Sequence, residues 1–371
     1  MKWKNTVAVA LVSAMALGVP VYAADEKAAN TTPVYTFEEV LERATKNNSD
    51  LALLEENLDL LSRQSQNLSQ GLGGEVYPSD PGDISNVTEQ YQTLRQLNSI
   101  MVERQASRYT REALEKQLEY SVMSAMTTIV TNEATLANAT QQRKLYEDQL
   151  RLAQTRLNLG MGTQLDVDQA QARIQQYETD LETAQSDVDQ AYADLARLMG
   201  IRNTDFEIVY DPEYEPFEMY TDLDTYLSRK NSTNPTLQGA EYSLEEMERS
   251  KNFTLANSTS PYGYDELMYQ INQAKSMLKQ SYDAFEKIGE ATYAGIEQTE
   301  GTIAMLETNL DLAESNLKVA QLNLQTGTGT QLALEEAQNT VDTTKNSLQA
   351  AKLNHSLLVY QMENPCVAAA Q

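Results

Sequence analysis

Apolar residues recur at alternating steps of three and four along two stretches of this chain. In the first, the seam is Val167, Ala170, Ile174, Tyr177, Leu181, Ala184, Val188, Ala191 and Leu195. In the second it is Leu334, Ala337, Val341, Thr344, Leu348, Ala351, His355, Leu358 and Met362. That 3.5-residue period predicts helices in a left-handed coiled coil, and the alanines and threonines allow close approach. Each seam follows a Gly-x-Gly turn, Gly160 to Gly162 and Gly327 to Gly329. Before the first turn, the pattern predicts one helix from about Ile84 to Leu159, about 76 residues and roughly 110 Å long. Before the second, it predicts a long helix ending near Thr326. All nine prolines fall outside these helices or at their edges, as expected of a residue that removes an N–H donor and clashes with the preceding turn.

The two stretches are copies of one another. Leu152 to Gln171 and Val319 to Gln338 align at an offset of 167 with ten identities in twenty positions. Further upstream the offset is 186, which matches Leu41 to Leu227, Asn48 to Asn234 and Leu51 to Leu237. The first copy is therefore 19 residues longer. The Gly/Pro-rich breaker from Gly71 to Asp83 is longer than its counterpart from Asn257 to Gly263, and the excess is expected there.

The first helix of copy one opens at Thr36, where Thr36-Phe37-Glu38-Glu39 is a capping box and Tyr35 and Val40 form a hydrophobic staple. It is expected to run to about Leu68. The start of the chain has the pattern of an export signal: Lys2 and Lys4, an apolar run from Val7 to Val19, then Val21-Tyr22-Ala23 before the cleavage point. The expected organisation is a signal peptide at 1–23, an N-terminal linker at 24–35, a first hairpin repeat at 36–200 and an acidic linker at 201–221. A second repeat at 222–362, broken at Pro235, and a tail at 363–371 complete it. Phe206 to Tyr210 in the linker has the pattern of one short strand, and the linker is expected to cross the helical body as a belt. The fold class is all-α, two repeats of long antiparallel coiled-coil hairpins.

Charge narrows the partners. Without Lys2 and Lys4, 26 basic residues face 54 acidic ones, a formal charge of about −28. Such a surface repels phosphate backbones, so nucleic acid is not an expected partner, and it also repels anionic lipid headgroups. Cys366 is the only cysteine and His355 the only histidine. Zinc sites, Cys–His nucleophiles and histidine triads need more of both. No catalytic residues, cofactor or metal are expected, and no enzymatic activity. His355 lies on the second seam and reads as a packed side chain.

Repeat, turns and heptads together resemble the TolC-like family of outer membrane efflux proteins. Leu159-Gly160-Met161-Gly162-Thr163-Gln164-Leu165-Asp166-Val167-Asp168-Gln169-Ala170 is similar to the family's hairpin tip, and Ala193 to Gly200 to the end of its return helix. The resemblance implies a protomer of an efflux duct: a homotrimer, twelve helices closing a tunnel, with a periplasmic adaptor (membrane fusion protein) and an inner-membrane transporter as partners. It also implies an exported protein of the periplasm or outer membrane, or of the cell surface where an outer membrane is lacking. The sequence departs from the family in its breakers. A membrane hairpin needs two alternating strands of about 9–11 residues, and neither breaker supplies them. The transmembrane β-barrel is therefore expected to be missing or vestigial, with no direct spanning of the bilayer.

The candidate site is the pair of tips, Leu159, Gly160, Met161, Gly162 and Thr163 in copy one and Gly327, Thr328, Gly329 and Thr330 in copy two. Turn geometry alone accounts for Gly160 and Gly327, since a sharp helix reversal needs positive φ. The duplicated Thr-Gln-Leu after the glycines goes beyond that need and points to adaptor docking. Asp166 and Asp168 have two readings: an acidic constriction of a tunnel, or favourable charge in the first turn of a helix. Copy two has Ala333 where copy one has Asp166. The alternative to a duct is a structural coiled-coil spacer of the cell envelope without a lumen, and oligomeric state separates the two. An adaptor role ranks last, because the chain lacks β-rich segments around the hairpins.

Overall fold

The computed structural model describes residues 32–71, 84–257 and 263–368. The export-signal segment and most of both breakers lie outside these residues. In chain order the elements are β1 (Val34–Thr36), α1 (Phe37–Asn47), α2 (Ser49–Gly71), α3 (Ile84–Asn158), α4 (Gln164–Leu198), β2 (Glu207–Val209), α5 (Leu223–Ser232), α6 (Pro235–Asn257), α7 (Gly263–Gln325), α8 (Gln331–Glu363) and α9 (Pro365–Ala368). The long elements are all helical, as the seams require. α3 and α4 form one antiparallel hairpin and α7 and α8 the other, and α3 lies against α8. Below the belt the helices therefore stand in the order α4, α3, α8, α7.

Both predicted seams bury their residues. Val167, Ala184, Val188, Ala191 and Leu195 are buried on α4, and Val341, Leu348, His355 and Met362 on α8. α8 has a second covered face, because it also meets α3. That second contact is polar: Asn346 Nδ2 donates to Asn138 Oδ1 at 2.8 Å, Asn339 Nδ2 to Gln142 Oε1 at 2.5 Å, and Tyr360 Oη to Glu119 Oε2 at 2.6 Å. Apolar seams hold each hairpin together, and a polar ladder joins the two hairpins.

The capping box at Thr36 is present, with Glu39 N donating to Thr36 Oγ1 and Thr36 N to Glu39 Oε2. The helix it opens is not continuous to Leu68. It stops at Asn48, whose extended backbone ends α1 and whose Oδ1 accepts from Asp50 N and Leu51 N, both at 3.0 Å, to start α2. Asn234 does the same for Thr236 in copy two. The two asparagines matched at offset 186 are thus the same break in each repeat.

The extra length of copy one is also placed differently. α2 and α6 both span 23 residues, but α3 has 75 residues against 63 in α7. Twelve of the surplus residues extend α3 itself, and the interhelical stretches 72–83 and 258–262 differ by only seven. The expectation that the breakers form no membrane hairpin falls on residues outside those described. Among the described residues, the only strands are β1 and β2, which pair in parallel, Tyr35 opposite Ile208. A strand within 206–210 was expected; its partner in the N-terminal linker was not.

The belt is packed, not loose. Phe206 is buried in a cluster with Val40, Leu118, Val122, Met126, Ile129 and Leu195. Phe217 packs on a second cluster of Leu227, Ile296 and Met362. Ile129 and Ile296, and Leu195 and Met362, are counterparts at offset 167, so each repeat carries one core at the same height. α9 is packed too: its Cys366 and Val367 are buried.

Candidate functional site: the two hairpin tips

α3 ends at the first tip because Gly160 takes φ +72°, a region that L side chains rarely enter. Gly160 N then donates to Leu157 O at 3.0 Å and Met161 N to Arg156 O at 2.8 Å. This is a Schellman ending, which satisfies two carbonyls of the last turn. The second tip repeats it: Gly327 has φ +72°, Gly327 N donates to Leu324 O at 3.1 Å and Thr328 N to Asn323 O at 2.8 Å. The second glycine of each pair serves a different need. A Cβ on Gly162 would lie 3.1 Å from Arg156 Cβ, and one on Gly329 would lie 2.9 Å from Asn323 Cβ. The returning chain crosses so close to the last helical turn that no side chain fits easily.

Thr163 and Thr330 then cap the return helices, accepting from Asp166 N at 3.2 Å and Ala333 N at 3.1 Å. In the first tip the cap is reciprocal. Asp166 Oδ2 accepts from Thr163 N and Thr163 Oγ1, both at 2.8 Å. Those bonds, the backbone one first, hold the Asp166 carboxyl below its usual range. Asp168 Oδ1 accepts from Gln164 Nε2 at 2.8 Å. Both carboxylates are exposed. The helix-start reading of Asp166 is therefore realised in its hydrogen bonds, and Ala333 makes the second cap one-sided.

The tips differ in what they present. Leu159, Met161 and Leu165 project into solvent at the first tip. Their counterparts at offset 167 are Thr326, Thr328 and Leu332, and the two threonine hydroxyls bond each other at 2.9 Å. One tip is an apolar knob and the other is largely hydroxylic. That difference is readable in the sequence by aligning the repeat.

His355 sits far from the tips. It is buried, with Nε2 3.0 Å from Glu300 Oε1 and its ring edge-on to Tyr214 at 5.0 Å. Phe217 N donates to the same Glu300 oxygen at 2.7 Å. The histidine thus helps clamp the belt to the second hairpin. Among the described residues, no cluster of His, Cys, Asp and Glu is placed to hold a metal ion, and no helix is long and apolar enough to cross a membrane.

Comparison with known proteins agrees with this architecture. The family model described as outer membrane efflux protein matches residues 89–201, most of α3 and all of α4. No curated protein sequence matches the chain. Among solved structures, a membrane protein from Pseudomonas aeruginosa is 12% identical with a TM-score of 0.66, covering 92% of this chain and 95% of its own. The Campylobacter jejuni CmeC outer membrane channel is 10% identical with a TM-score of 0.65, over 95% and 94%. The open state of the Neisseria gonorrhoeae MtrE outer membrane channel is 13% identical with a TM-score of 0.61, over 90% and 88%. The fold is shared with these outer membrane channels, and the family model meets the resemblance read from the sequence over the first hairpin.

Proposed function

We propose that this protein is the duct component of an efflux system. It is exported to the periplasm or outer membrane, assembles as a homotrimer around a tunnel, and docks a periplasmic adaptor at its hairpin tips. The adaptor in turn engages an inner-membrane transporter. One observation carries the reading: two hairpins of one chain end in the same Schellman turn, with the same glycine pair and threonine cap, and present their side chains outward. A spacer rod has no need of twin exposed ends. Asp166 and Asp168 follow the first tip, and in a ring of three protomers their carboxylates form an acidic constriction favouring cations. The Thr163 cap favours the charged form of Asp166.

The test is export. Cells carrying the wild-type chain extrude a fluorescent efflux dye, and cells carrying Gly160→Val with Gly327→Val retain it. A photo-crosslinker at Met161 captures a helical-hairpin protein in the first case only. Full export by the double variant would sink tip docking. A chain that never assembles beyond a dimeric rod would favour the spacer.

A further inference from the structure

The first tip carries a sulfur that the second lacks. Among the described residues Met161 is the most accessible methionine, 77% exposed against 57% for Met277, 55% for Met305 and 43% for Met101. Its counterpart at offset 167 is Thr328, whose hydroxyl donates to Asn323 O at 3.2 Å and meets Thr326 Oγ1 within its own turn. No methionine or cysteine lies between Thr326 and Leu332.

The turn fixes the backbone of Met161 and leaves its side chain in solvent. Its N–H donates to Arg156 O at 2.8 Å, the bond that closes the Schellman ending. That ending makes no use of the thioether, which stands with Leu159 and Leu165 in the exposed apolar knob. The knob therefore changes polarity without a change of fold. A thioether is apolar and compliant, and suits an apolar partner surface. Its sulfoxide carries a polar S–O group, which has to be desolvated before an apolar surface covers it.

We propose that Met161 is an oxidation site for peroxide, and that its sulfoxide undocks the first tip. Undocking presupposes the adaptor-bound tip of the duct reading. In the step, a sulfur lone pair attacks one oxygen of hydrogen peroxide, an S–O bond forms and the O–O bond breaks. The second oxygen leaves as water, taking up the proton that the first gives up. Because Thr328 has no thioether, peroxide disables one tip of each protomer and spares the other.

Peptide mapping and export test the two halves. On the purified chain, dilute hydrogen peroxide converts Met161 to sulfoxide several-fold faster than Met277 or Met305, while the buried Met126 and Met362 stay reduced. Helicity and sedimentation do not change. Equal rates at Met161 and Met277, or a loss of helicity, overturn the site. In cells a peroxide pulse lowers dye export several-fold, each strain being read against its own untreated rate. Met161→Leu holds its own rate through the pulse. A chain with Met101→Leu, Met277→Leu and Met305→Leu still loses export, because Met161 remains. A resistant triple variant overturns the undocking, as does a Met161→Leu strain that loses as much as wild type. If Met161→Leu exports nothing untreated, the triple variant decides. A wild-type chain that exports nothing untreated defeats the duct, and the undocking with it, and leaves the oxidation site to the mapping. Full export with Met161 mapped as sulfoxide defeats the undocking and leaves the duct.

Discussion

Glu133 and Glu300 stand 167 residues apart, at matching positions of the two long helices, and each carboxylate accepts a short hydrogen bond, Glu133 from Tyr192 of α4 and Glu300 from the belt at Phe217. Glu133 Oε1 accepts from Tyr192 Oη at 2.6 Å, and the Tyr192 ring packs edge-on against Phe206 at 5.2 Å. Glu300 Oε1 accepts directly from the belt, at Phe217 N, and also faces His355. The duplicated position keeps its carboxylate while changing its partner.

The two glutamates are unequal in burial, which sets their worth. Glu300→Ala leaves a part-buried N–H and a buried imidazole without an acceptor, at a cost of about 1–3 kcal/mol. Glu133→Ala removes a more exposed bond, worth about 0.5–1 kcal/mol. Urea denaturation of the two variants measures the difference. Equal losses would mean that the belt is not anchored more firmly in the second repeat.

Positive φ at the tips predicts an order of substitutions. Gly160→Val is strained by about 1–2 kcal/mol or more, Gly160→Ala by less, and Gly160→Asn least, because asparagine tolerates the left-handed region best. The coiled-coil bodies keep their helicity in circular dichroism, since their seams lie elsewhere. A melt in which Gly160→Val matches wild type would exclude the strain.

Acid should loosen the first tip and spare the second. The Asp166 carboxyl is held below its ordinary value of 3.8 by the Thr163 cap. A depressed folded value stabilises above the unfolded one and is lost as pH falls through the folded one. The protection of the Thr163 amide, its exchange relative to the intrinsic rate at each pH, should therefore fall as pH drops below about 4. The same amide at Thr330, opposite Ala333, should show no such step. Asp166→Asn should remove the step altogether, which measurement of exchange against pH would reveal.

Alkali should act on the middle of the molecule. Burial, first among the causes, pushes Tyr226 and Tyr282 up to about 12, and pushes Tyr192 and Tyr360 higher still. The folded state then keeps protons that the unfolded chain releases near pH 10, so stability holds below 10 and falls as pH rises towards 12. Phenolate absorbance should lag behind that of the denatured chain over this range. A coincident titration would show these hydroxyls to be freely solvated.

Much of the architecture was legible because its causes are local. A helix turns every 3.6 residues whatever surrounds it, so the spacing from Val167 to Leu195 announced a buried face. The positive φ of Gly160 and Gly327 was likewise written in residue type, as was the Thr36 cap. The break at Asn48 was harder, because asparagine both interrupts and caps, and only its match to Asn234 hinted at the break.

What the sequence by itself determined, then, is the two long hairpins, their buried seams, the glycine turns and the duplication. Tertiary structure decided which distant segments meet. Val34 to Thr36 became a strand only because Glu207 to Val209 came alongside it. The second face of α8 became a polar ladder only because α3 lay there, and His355 became part of a clamp because Glu300 and Phe217 converge on it. Steps of three and four report that a face is covered but not by what, since burial of apolar surface is non-directional. Partners are chosen by hydrogen-bond geometry between segments more than a hundred residues apart, and that geometry exists only once the chain has folded.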